Sequence, residues 1–184
     1  MADAPEVGSP HTTRIRRVVT GESVSGESVF LHDDEVTAVV NGANGFAYWR
    51  LWGNDGLDVL PIGPDHAWSR TIFPDRPEGQ RVHAIEFPAA GSEHAAQGDW
   101  PPYGLTPEGR YDDPERPGMH WTDTIDVAVV VEGSIGVEQG DGTVRVLGRG
   151  DVLVQNGVLH RWVLQPEPCR VVVVAFGAAR PAGA

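Results

Sequence analysis

The chain has 184 residues, a net charge of −12, 23 Gly and 15 Pro, which suits one turn-rich domain with a real core; its acid excess excludes nucleic acid or an anionic membrane as a natural partner, since both demand a basic face. All 14 basic residues are Arg, and the absence of Lys rules out a Walker-type phosphate loop, Schiff-base chemistry and a lysine general base. Cys169 is the single cysteine, so no internal disulfide and no multi-Cys metal site can form, and its apolar neighbours mark it as a buried thiol.

Residues 1–13 are polar and unpatterned and read as a mobile tail. They lack the apolar core of a secretion signal, and no apolar run of about twenty residues exists to cross a membrane, so a cytoplasmic protein is expected. Arg14 to Thr20 reads as a first strand and Gly21 to Gly26 as a turn. Ser28 to Leu31 and Glu35 to Val40 are expected as two short strands around a His32-Asp33-Asp34 corner. In the strand Phe46 to Trp52, the residues Phe46, Tyr48, Arg50 and Trp52 share one face, and Tyr48 and Arg50 are candidates to line a pocket. Gly53 to Gln80 is irregular and punctuated by proline. Arg81 to Phe87 alternates again, placing His83 beside Ile85 and Phe87 as a candidate for substrate binding, acid–base work or ligation. Pro88 to Met119 has no period, and Trp100, Tyr103 and Tyr111 suit it to pack as a flap over a pocket, with His94 exposed.

Met119 to Gly133 reads as one strand, rich in Val, Ile and Thr. His120, Thr122, Thr124 and Asp126 then share a face that continues through Ala128 and Val130, while Trp121, Ile125, Val127 and Val129 form an apolar reverse, a pattern that predicts cover on both sides. Four buried hydrogen-bonding groups in a row require partners, and a metal or a polar ligand would serve. Ser134 to Glu138 and Thr143 to Leu147 form a hairpin through Gly140-Asp141-Gly142. Val152 to Gln155 is a strand, Asn156-Gly157 a tight turn, and the chain returns through His160 and Trp162 at strand spacing. Cys169 to Phe176 closes the sheet, and residues 178–184 are expected as a frayed tail. His120, Asp126 and His160, if they converge, offer two imidazoles and one carboxylate, a facial triad with open positions.

Gly118, His120, Thr122, Asp126 and Gly133, followed by Gly150, Asp151, Gly157 and His160, resemble the two motifs of the cupins. Thr122 stands where that family has a second histidine, Asp126 where it has Glu, and Leu164 where it has Asn. The wording around His120 to Asp126 is similar to that of a subgroup of small bacterial cupins. The resemblance implies an all-β fold, the cupin double-stranded β-helix or jelly-roll barrel, spanning residues 110–177 behind an N-terminal β extension with loops at residues 14–109. It also implies a homodimer completed by that extension and one divalent metal ion (Zn, Fe, Mn, Ni or Co) on His120, Asp126 and His160. Thr122 and Thr124 are expected in support, with Asp126 as a general base if it falls short of the metal, and Trp162 as a platform for a flat substrate. Two functions are open: a metal-dependent enzyme of isomerase, cyclase, lyase or dioxygenase type acting on a small organic molecule, or a module that binds such a molecule without turnover.

Overall fold

The computed structural model of the chain describes residues 14–41, 46–74, 76–92 and 110–181. The expected tail at residues 1–13 and the part of the expected flap that holds His94, Trp100 and Tyr103 lie outside the described residues. The strands in chain order are β1 (Arg14–Glu22), β2 (Ser28–Thr37), β3 (Val39–Asn41), β4 (Phe46–Asn54), β5 (Gln80–Phe87), β6 (Arg110–Asp112) and β7 (His120–Thr122). They continue as β8 (Thr124–Glu132), β9 (Ser134–Gln139), β10 (Val144–Gly148), β11 (Val152–Asn156), β12 (His160–Val163) and β13 (Cys169–Gly177). No helix of the described residues is long and apolar enough to cross a membrane.

Two sheets face each other, one of five strands in the order β10-β9-β12-β7-β6 and one of six in the order β11-β8-β13-β5-β4-β3, while β1 and β2 form a separate hairpin. From β7 onward the chain passes back and forth between the sheets: β7 in the five, β8 in the six, β9 and β10 in the five, β11 in the six, β12 in the five and β13 in the six. This repeated passage winds the chain into a double-stranded β-helix. Facing apolar side chains fill the space between the sheets, among them Phe73, Ile85, Phe87, Val130, Ile135 and Val171.

The expected single strand from Met119 is broken at Asp123, because that is where the chain leaves one sheet for the other. The alternation survives the corner: His120, Thr122, Thr124, Asp126, Ala128 and Val130 are all buried. Cover on the reverse face is only partial, contrary to expectation. The hairpin's Ile15 and Val36, with Ala38 beyond it, pack over Ala47, Trp49 and Ala84, whereas Ile125, Val152 and Val154 keep 42%, 58% and 54% of their surface exposed.

The corner expected at His32-Asp33-Asp34 is instead continuous β2, paired with β1. Arg16 and Arg17 bind Asp33 and Asp34 across the hairpin at 2.8 and 2.5 Å, so residues that avoid strands on their own are held there by opposite charge. The start of the expected frayed tail is also anchored. Ala178 N donates to Asp123 O at 2.9 Å, and Arg180 reaches back to the same corner, its Nε donating to Asp123 Oδ1 at 2.6 Å. Arg180 Nη2 donates to Thr122 O at 2.9 Å and to Gly157 O at 2.8 Å. Gly157 has φ +60°, and a Cβ there would lie 2.9 Å from Thr122 O, so the turn before β12 closes on the corner only as glycine. Tyr111 Oη adds a hydrogen bond to Asp123 Oδ2 at 2.9 Å.

Candidate active site

His120 and His160 are the first residues of β7 and β12 and stand directly opposite each other in the ladder. Their ring centroids are 4.3 Å apart. Each Nδ1 meets the carbonyl oxygen of the residue two before it, Gly118 at 3.1 Å for His120 and Val158 at 2.8 Å for His160. A carbonyl only accepts, so Nδ1 carries the proton in both rings and each Nε2 keeps a free lone pair. Burial lowers the pKa of both, that of His120 far below the usual histidine value, and the Arg110 charge adds to the effect. Both imidazoles are therefore neutral at pH 7.

A histidine from each of the two motifs, on adjacent strands of one sheet within a double-stranded β-helix, settles the architecture. The chain has the cupin fold. No family model matches it. Over 51 residues it is 47% identical to the phomopsin biosynthesis cluster protein C' of Diaporthe leptostromiformis, a match covering 26% of this chain and 27% of that protein. The chain thus spans about a quarter (27%) of the length of this curated relative. Among solved structures it is similar to the cupin domain of Schizosaccharomyces pombe Cnp3, with TM-score 0.44 and 10% identity over 89% of each chain. It is also similar to the polyketide cyclase RemF of Streptomyces resistomycificus, with TM-score 0.42 and 24% identity over 79% of this chain and 76% of that one.

Between the two sheets lies a cavity of about 670 Å³, lined by His83, His120, Asp126, Gln155, His160 and Trp162 together with Arg110 and an apolar wall that includes Phe46, Phe73, Phe87 and Leu164. Phe46, Phe87 and Trp162 follow one another along that wall, with centroids 5.4 and 5.3 Å apart, which makes it a surface for flat molecules. Trp162 is where its strand spacing put it, and Leu164 adds apolar surface.

Asp126 projects from β8 and is 8% exposed. Its Oδ1 has no hydrogen-bond partner among the described residues. Burial raises its pKa to about 6, against a weaker opposing pull from the Thr124 hydroxyl. Gln155 pairs with it across the β8–β11 ladder and donates from Nε2 to Val158 O at 3.1 Å, the same carbonyl that orients His160.

The expected metal triad is not assembled. Among the described residues no group of three or more His, Cys, Asp or Glu is placed to hold a metal ion. The two imidazoles meet, but Asp126 does not join them as a third ligand. Its strand belongs to the opposite sheet, and the carboxylate is one methylene shorter than the glutamate of the motif it resembles. A metal would find the Nε2 atoms of His120 and His160 and, among the described residues, no third His, Cys, Asp or Glu placed with them.

Thr122 and Thr124 are buried, and Thr124 Oγ1 donates to Thr122 Oγ1 at 2.7 Å, so they brace the corner behind the cavity without lining it. Tyr48 lies under the floor, its Oη donating to Ile72 O at 3.4 Å. Arg50 does not line the cavity; it is bound to Ser69 O and placed 5.6 Å from the Trp68 ring. It still pairs with His83 in the β4–β5 ladder, so its face is the one the alternation predicts, and Ser69 of the irregular segment holds its guanidinium outside the cavity lining.

Sequence reading missed Arg110, Gln155, Ile72 and Phe73. Gln155 was legible as the one polar residue sharing the inward face with Leu153. Arg110 opens a strand of three residues, too short to show a period. Ile72 and Phe73 come from the irregular segment that buried Arg81 holds to the sheet through Asp55, Ser69 and Thr71 at 2.6, 2.8 and 2.6 Å.

Proposed function

We propose that the chain is an enzyme that moves a proton on a small, flat organic molecule held in the barrel cavity, in the isomerase, cyclase or lyase class. The observation that carries this reading is Asp126, a carboxyl buried in a mostly apolar cavity with one oxygen left without a partner. An unpaired buried oxygen costs about 1–3 kcal/mol, a cost retained where the group has work to do. With its pKa raised to about 6, Asp126 is ionised at neutral pH yet close enough to that pH to take and return a proton. The neutral His120 and His160 present two lone-pair nitrogens that accept hydrogen bonds from the ligand or hold a divalent cation, which would supply Lewis acidity. Dioxygen chemistry has less support, because among the described residues no third His, Cys, Asp or Glu joins the two imidazoles as the facial triad of a redox iron would need. The apolar stripe left bare at Ile125, Val152 and Val154 supports a second copy of the chain as partner in solution.

The test uses 2-tetralone, a flat ketone with exchangeable α-hydrogens, in deuterium oxide. The wild-type protein is expected to speed α-exchange, followed by proton NMR, and Asp126→Asn to slow it by about a hundredfold or more. Binding of the ketone with no exchange by either protein would replace the enzyme with a ligand-binding module.

A further inference from the structure

A second polar group is left without a partner in the same cavity. His83, 2% exposed on β5, has no hydrogen-bond partner for Nδ1 among the described residues. Its ring is fixed by neighbours, with the Tyr48 centroid at 4.9 Å in a tilted stack and Phe73 edge-on at 6.4 Å. Like Asp126, it lines the cavity from the inner face of the six-stranded sheet.

The two residues are separated by β13. Asp126 is level with Ala175, and His83 with Val173, one inward row further along. Both intervening side chains are small and buried, so no bulky group stands on the sheet between the imidazole and the carboxyl. Two strand spacings across and one row of about 7 Å along the strands put the backbones roughly 12 Å apart. Hydrogen bonds of about 3 Å at each end leave room for a carbonyl and the carbon beside it.

We infer that His83 is a further catalytic residue, whose Nδ1–H receives the carbonyl oxygen of an enolisable ketone while the adjacent C–H faces Asp126 Oδ1. This rests on the proton-transfer reading and names its substrate class. Asp126 takes the α-proton, the C–H electron pair becomes the carbon–carbon double bond of an enolate, and the carbonyl π pair moves onto the oxygen held by His83. Return of the proton from Asp126, to the same carbon or to one conjugated with it, regenerates a neutral ketone and the ionised carboxylate. Burial and the Arg81 charge hold the pKa of His83 down to about 3, so the ring stays neutral and donates a hydrogen bond without passing on its proton. The aromatic wall accepts the flat body of the ketone, and the Asp126 carboxylate repels an anionic group at this end.

The probes are 2-naphthol, which has the shape of the enol of 2-tetralone, and naphthalene, which lacks the oxygen. Wild-type protein is expected to bind 2-naphthol about tenfold more tightly than naphthalene. In His83→Phe, which keeps a ring against Tyr48 and Phe73, the preference should fall to near unity while naphthalene still binds, reporting an intact cavity. The same variant should slow 2-tetralone exchange by about a hundredfold. Equal affinity of the wild type for both probes, or a preference that survives in His83→Phe, overturns the role of His83. If exchange occurs but the preference does not depend on His83, the enzyme reading stands and this subsite falls. If the preference depends on His83 and no exchange occurs, the oxygen subsite stands and the proton transfer falls.

Discussion

Replacing Asp126 by Asn should stabilise the protein at neutral pH and leave it nearly unchanged in acid. The carboxyl titrates at 3.8 in an unfolded chain and at about 6 in the cavity. Between these values the folded state binds the proton and the unfolded state has lost it, so stability falls as pH rises from about 4 to about 6. Above that window the ionised group costs the fold about 3 kcal/mol, at ~1.4 kcal/mol for each pH unit that separates the two titrations. Asn matches the protonated carboxyl in shape and never ionises. Urea unfolding of both proteins at pH 4.0 and 7.5 is expected to give near-equal stabilities at the lower pH and an advantage of about 3 kcal/mol to Asp126→Asn at the higher. A difference that does not change with pH, or a variant less stable at pH 7.5, would show that Asp126 is solvated or paired. The account of its poised carboxyl would then fail.

His83 should act on the acid side. Its folded pKa of about 3 lies below the usual 6.5, so the unfolded chain takes up a proton that the folded one refuses. That contribution is lost as pH falls below about 6.5, at ~1.4 kcal/mol per pH unit, and His83→Phe should gain on the wild type by that slope down to pH 4. A gap constant over this range would count against a buried neutral ring. Arg180→Ala should cost about 1–3 kcal/mol and speed amide hydrogen exchange from Gly157 to His160; Arg180→Lys should restore little, because an ammonium cannot reproduce the planar fork. Unchanged exchange in both variants would remove Arg180 as a brace. Metal analysis of protein purified without chelator should find Zn, Fe, Mn, Ni or Co below one equivalent. An equimolar metal that disappears in His160→Ala would restore the metal-centred reading.

The fold was legible because strand alternation is a local property. His120 to Val130 and His160 to Trp162 announced their inward faces residue by residue, and the hairpin at residues 134–147 announced its turn. Convergence of the site was less legible. That His120 and His160 pair directly follows from which strands share a sheet, and that Asp126 fails to join them follows from the corner at Asp123, which no periodicity marks because the alternation runs through it unbroken. Arg50 failed for a different reason: its face is the one the alternation predicts, but Ser69, from an aperiodic stretch, holds its guanidinium. Ile72 and Phe73 reach the cavity only because a network around buried Arg81, assembled from three distant segments, holds an aperiodic stretch in place.

The tether from Arg180 ties the corner and the turn to a single guanidinium. A peptidase trimming back past this residue would spare both sheets, the cavity and the aromatic wall, yet release the two hinges from which His120 and Asp126 on one side and His160 on the other are hung. Such a clipped protein would lose about the same 1–3 kcal/mol expected for Arg180→Ala, and the rows that carry His120 and His160 would loosen before the sheets come apart.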